Sequence, residues 1–117
     1  MNVKEFYDAI GGSYETALGR LSRDSMIEKF VNKYPKDPTF AELKQAVEGQ
    51  DWAAAFSAAH TLKGVALNLA FQTLGSEASE LTEMLRPPRP VEPAAVTAQF
   101  AVVSDAYEKV ISELALH

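Results

Sequence analysis

The chain contains no cysteine, which removes disulfides, thiolate catalysis and cysteine-based zinc sites together. Its only two histidines are His60 and His117, and they lack the close spacing that grips a metal from one helix. Long apolar runs are missing too: charges interrupt every stretch well short of the roughly 20 residues that span a bilayer. The opening Met1-Asn2-Val3-Lys4-Glu5 has no basic segment followed by an apolar one, so a signal peptide is not expected. Basic residues number 11 against 16 acidic ones, for a formal charge of −5. That balance argues against non-specific attraction to nucleic acid or anionic membranes. With 117 residues the chain suffices for one compact domain and is too short for two. A cytoplasmic domain, monomeric and working through protein partners, is the expectation.

What is present is helical periodicity. From Pro93 to Leu116 the residues Val96, Phe100, Val103, Tyr107, Val110 and Leu114 recur at alternating spacings of four and three, the seam of a helix packed lengthwise on its neighbours. Pro93 suits a first turn, and Pro87-Pro88-Arg89-Pro90-Val91-Glu92 reads as a stiff connection that no helix can cross. Another helix is expected from about Phe71 to Arg86, with Leu74, Ala78, Leu81 and Leu85 inward and Glu77, Glu80 and Glu83 outward. A third runs from about Asp51, a natural N-cap, to Leu69. Thr39 to Glu48 offers Phe40, Leu43 and Val47; Arg23 to Lys33 offers Met26, Ile27, Phe30 and Val31. Val3 to Ile10 and Ser13 to Leu21 read as short helices laid across the rest. The expected fold is all-α: one domain over 1–117, with an N-terminal cover of about 1–22 on an antiparallel four-helix bundle of about 23–116.

The segment from Asp51 to Leu69 carries the chemistry. At about 100° per residue, Ala55, Ala59, Leu62, Ala66 and Leu69 form its core face, while His60, Lys63, Gly64 and Leu67 gather on the other side with Phe56 and Ser57. A histidine in a helix is usually a satisfied core residue, and the wheel argues against that here. Lys63 and Gly64 follow at i+3 and i+4 and share its patch. A glycine within a helix costs about 1 kcal/mol relative to alanine, so Gly64 asks for a reason, and close approach of a bulky group to the imidazole supplies one. Phe56 and Leu67 would be apolar groups beside a polar centre, as on a docking surface, although contact with the N-terminal helices explains Phe56 equally well. A neutral imidazole can attack a phosphoryl group in line, and Lys63 would balance the charge on the equatorial oxygens. The helix face around His60 has no carboxylate, so Mg²⁺ would have to come from a partner.

The run Ala58-Ala59-His60-Thr61-Leu62-Lys63-Gly64-Val65-Ala66-Leu67-Asn68-Leu69 resembles the signature of the histidine-containing phosphotransfer (HPt) family, in which the phosphorylated histidine opens an H-x-L-K-G motif. The lead-in Gly49-Gln50-Asp51-Trp52 is similar to the turn that family members place before their histidine helix. The resemblance implies that His60 accepts a phosphoryl group from a receiver-domain phosphoaspartate and passes it to another. It implies Lys63 as the charge partner, Gly64 as the clearance position, and a four-helix core with an extra N-terminal helix. Ala70 departs from the pattern, since many members have glycine there, which puts the detail of that helix end in question. Gln72 falls where some members carry a polar docking residue, and joins Phe56, Ser57 and Leu67 as a partner-contact candidate.

Three other classes compete with this reading. A dimerising histidine kinase would set an acidic residue directly after its histidine and join an ATP-binding domain, whereas Thr61 follows His60 and no Gly-rich nucleotide motif is present. The chain is therefore read as a phosphoryl carrier without its own ATP site or cofactor. A hydrolase or metal site finds little support: Ser57 at i−3 has no orienting carboxylate, and His117 reads as a frayed end or tag remnant. The remaining alternative is an adaptor that binds receivers without carrying phosphate, for which His60, Lys63 and Gly64 together would be unnecessary.

Overall fold

The computed structural model describes all 117 residues. Seven α-helices follow one another without a strand: α1 (Val3–Ala9), α2 (Tyr14–Leu21), α3 (Asp24–Lys33), α4 (Thr39–Glu48), α5 (Trp52–Asn68), α6 (Gln72–Leu85) and α7 (Pro93–Leu116), with a 3₁₀ turn at Tyr34–Lys36 after α3. The histidine-bearing α5 packs most extensively on α6 and on α4; α7 lies along α6 and also touches α4. The 24 residues of α7 span about 36 Å at 1.5 Å per residue, which accounts for a molecule 43 Å long and only 24 by 20 Å across. No helix is long and apolar enough to cross a membrane.

Local chemistry starts the helices where the sequence suggests. The Asn2, Ser13 and Asp51 side chains accept from the backbone N–H groups of Glu5, Thr16 and Ala54, each such cap being worth about 1 kcal/mol. The seam of α7 is buried at Val96, Val103 and Val110, one heptad apart, with Phe100, Tyr107 and Leu114 packed beside them. Leu74, Ala78, Leu81 and Leu85 of α6 are buried, as are Phe40, Leu43 and Val47 of α4. Phe40 stacks on Tyr107 with ring centroids 3.9 Å apart and 5° between planes, closing the contact between α4 and α7. On α3 the outcome is mixed. Ile27 and Val31 are buried, but Phe30 stays 40% exposed with the Lys33 ammonium 5.8 Å from its ring centre.

The N-terminal helices attach to the turn between α5 and α6. That turn carries Ala70 at φ +62° and Phe71, both fully buried. Phe71 is the meeting point of three aromatic rings, with Phe6, Tyr7 and Tyr34 at 6.0, 5.9 and 5.3 Å between centroids. The free carbonyls at the end of α5 also find partners in the N-terminal segment. The Tyr7 hydroxyl donates to Leu69 O at 2.7 Å, Ser13 N–H donates to Ala70 O at 3.0 Å, and the Arg20 guanidinium donates to Leu67 O. In return, the Thr73 hydroxyl and N–H both donate to Gly11 O, at 3.0 and 3.2 Å. Glycine is required for this approach: a Cβ on Gly11 would fall 2.3 Å from Thr73 Oγ1, and one on Gly12 would fall 2.9 Å from Ala70 O.

Candidate functional site

The core stripe of α5 is Ala55, Ala59, Leu62 and Ala66, each at most 1% exposed. Leu69, grouped with them by periodicity, is instead the half-buried residue that ends the helix and accepts from Tyr7. Three alanines in four positions let the neighbouring helices come close, and they leave the opposite face of α5 pointing outward. His60 stands exposed in the middle of that face.

The neighbours of His60 divide by side. Toward α6 lie Phe56, Lys63 and Leu67, all half-buried. Leu67 nests over Gly75 of α6, where a Cβ would fall 2.4 Å from its Cδ2. The Phe56 ring lies 6.3 Å from the imidazole, with 27° between planes. Toward α4 lie Ser57 and Thr61, both exposed, the Thr61 hydroxyl donating to Ser57 O at 3.0 Å. They border a shallow groove of about 240 Å³ with Thr39, Glu42, Ala54 and Ala58. Gly64 is exposed, and a Cβ built on it would meet nothing within 4 Å. The protein's own packing therefore does not demand a glycine there. Gln72 is exposed as the first residue of α6, past the end of α5. Of the residues singled out from sequence, the structure gathers His60, Lys63, Gly64, Phe56 and Leu67 on one face, sets Ser57 at its α4 edge and leaves Gln72 beyond its end.

Two residues of α6 and its exit complete the patch. Glu83 accepts from Arg86 Nε at 3.0 Å and from Arg86 Nη2 at 2.8 Å, and the Arg86 guanidinium carbon lies 5.2 Å from the centre of the Phe56 ring. The Glu83 carboxyl is held below the usual carboxylate range, first by its hydrogen bond from Arg86. Partial desolvation opposes that effect, and the charges of Arg86, Lys63 and Arg89 add to it. The site is thus not free of carboxylates, as α5 alone suggested. One reaches it from α6 and is already committed to Arg86. The sequence alone gives no sign of the contact between Arg86 and Phe56, because residues thirty positions apart leave no periodic trace.

Chemically, this face offers an accessible imidazole, an ammonium one turn away and open space one turn above. Among family models, that of the Hpt domain matches residues 25–115. The chain belongs to the Hpt domain family. Hpt domains are phosphocarriers rather than catalysts; they serve histidine phosphotransfer in phosphorelays, where they interact with receiver domains and histidine kinases. Searches of curated proteins and of solved structures returned no match.

Proposed function

We propose that this protein is a phosphorelay carrier that accepts a phosphoryl group on His60 from the phosphoaspartate of one receiver domain and delivers it to another. The observation that carries the reading is the exposed imidazole at the centre of α5 beside a glycine whose missing side chain clears space that nothing in the chain fills. In the accepting step an imidazole nitrogen forms the P–N bond while the acyl phosphate P–O bond breaks, and the receiver carboxylate leaves with the electron pair. Lys63 balances charge on the transferring oxygens. Gly64 gives the receiver's reacting edge its clearance. Phe56, Ser57, Leu67 and Gln72 form the rim on which the receiver sits, and the receiver supplies Mg²⁺. We read the bundle of about 23–116 as antiparallel, with α4 to α7 as its four helices, supported by the order in which these helices touch, and with α3 lying against α1 and α2. We also read the chain as one domain, monomeric so that the His60 face stays open, and cytoplasmic.

The test is transfer of labelled phosphate from a purified, charged receiver domain to the wild-type protein and to His60→Gln. Label on the wild type that is acid-labile and base-stable, and absent from the variant, is the expected result. Label that persists on His60→Gln overturns the site. Receivers that bind the wild type and never transfer label to it would make the protein an adaptor.

A further inference from the structure

Phosphoryl transfer in line requires the attacking nitrogen to be held near its productive direction, within about 10–20° for a well-organised site. An exposed histidine on a helix does not meet that requirement by itself, since its χ angles have several staggered wells open to them. His60 lies on the outer face of α5, where the buried stripe of Ala55, Ala59, Leu62 and Ala66 cannot touch it. Beside it lies the Phe56 ring, one turn earlier, with 6.3 Å between ring centres and 27° between planes. A half-buried phenylalanine at a helix surface would also change rotamer unless something covered its outer side. Arg86 covers it, with its guanidinium 5.2 Å from the ring centre, inside the range of an attractive cation–π contact. Arg86 is in turn held toward Glu83 by two hydrogen bonds to one carboxylate oxygen, and at the exit of α6 its carbonyl accepts from Arg89 N–H at 3.1 Å.

The links follow one another in space. Glu83 is on the α6 helix, Arg86 is forked onto Glu83, Phe56 lies beneath Arg86, and the imidazole lies beside Phe56. We infer that Phe56 and Arg86 form a clamp that sets the orientation of the His60 ring, with Arg86 as a positioning residue for the transfer reaction. This rests on the phosphotransfer reading and adds to it a group outside the histidine motif. Arg86 acts here through the Phe56 ring and not as a phosphate ligand. Both hydrogen bonds it makes go to Glu83, whose carboxylate offsets its charge, whereas Lys63 makes no such pair and sits one turn from the imidazole.

The experiment has two arms on the full chain. In the first, the His60 ring-proton resonances are recorded by NMR, with no receiver present, for the wild type, Arg86→Gln, Arg86→Lys and Phe56→Leu. Both Arg86→Gln and Phe56→Leu are expected to shift and broaden those resonances, and Arg86→Lys to keep them near the wild-type positions. In the second arm, single-turnover transfer is measured from a receiver that charges the wild type. The rate at saturating receiver is expected to fall about tenfold in Arg86→Gln and to recover largely in Arg86→Lys, with half-saturating receiver concentration unchanged. His60 resonances and saturated rate both unchanged in Arg86→Gln would overturn the clamp. So would a loss that appears only in half-saturation, which would make Arg86 a docking contact. The NMR arm needs no phosphate: if wild-type His60 never took up label, the phosphotransfer reading would fail while those spectra still judged the clamp.

Discussion

Two tyrosines show how much depends on a single hydroxyl. Tyr7 and Tyr34 are both buried against Phe71, yet the Tyr7 hydroxyl donates to Leu69 O while that of Tyr34 has no partner among the protein's groups. The same substitution should therefore act in opposite directions. Tyr7→Phe strands a carbonyl at the end of α5 and should cost about 1–2 kcal/mol, whereas Tyr34→Phe removes an unpaired polar atom and should stabilise by about 1 kcal/mol. Denaturant unfolding of the two variants beside wild type checks both signs. Gly64 separates stability from function in a similar way. Since a Cβ there meets nothing, Gly64→Ala should stabilise the fold by about 0.5–1 kcal/mol through helix propensity. Gly64→Gln should leave the fold intact and slow transfer onto His60 by about ten- to a hundredfold, because the added bulk displaces the incoming phosphoryl group. Normal transfer in Gly64→Gln would remove the clearance role from this residue.

Among the elements, the turn from α5 to α6 is the most constrained. Ala70 takes a left-handed conformation at φ +62° with no exposed surface, a position where glycine avoids about 1–2 kcal/mol of steric cost. Ala70→Gly would relieve that cost but lose a buried methyl worth about 0.8 kcal/mol, so its melting temperature should stay close to wild type. Ala70→Val, with a branched Cβ in the same conformation, should lose about 2–4 kcal/mol, measurable in the same melts. The helices themselves were largely legible in the sequence. Spacing of three and four, as at Val96, Phe100, Val103, Tyr107 and Val110, is a local record of which side of a helix is dry. The exposed grouping of His60 and Gly64 was legible for the same reason, since one helix carries both. The Arg86 contact with Phe56 and the exposure of Phe30 were not. Both are decided by where separate helices come to rest, and periodicity within one helix does not encode that.

For the molecule as a whole, the weight of buried tyrosine predicts the alkaline limit of stability. Burial raises the phenol pKa of Tyr7 and Tyr34 well above the ordinary value of 10.0, and raises that of Tyr107 as well. A group whose native pKa is raised contributes its full stabilisation below its unfolded value and loses it as pH climbs toward the native one. The thermal midpoint should therefore be insensitive to these groups up to about pH 10 and fall steadily above it, and the loss should be smaller in Tyr7→Phe. A midpoint that stays level between pH 9.5 and 11.5 would contradict the burial of these phenols.

The attachments of the N-terminal segment have a consequence for synthesis. Tyr7 and Gly11 each take their partner 62 positions further on, at Leu69 and Thr73. At about 5–20 residues per second, the ribosome delivers those partners roughly 3–12 s after the segment itself. During that interval Phe6 and Tyr7, which end with no exposed surface, lack the Phe71 ring that both pack against. The first helices made can thus dock fully only once the histidine helix and its following turn exist, and the end of that helix is sealed by residues that have waited longest for it.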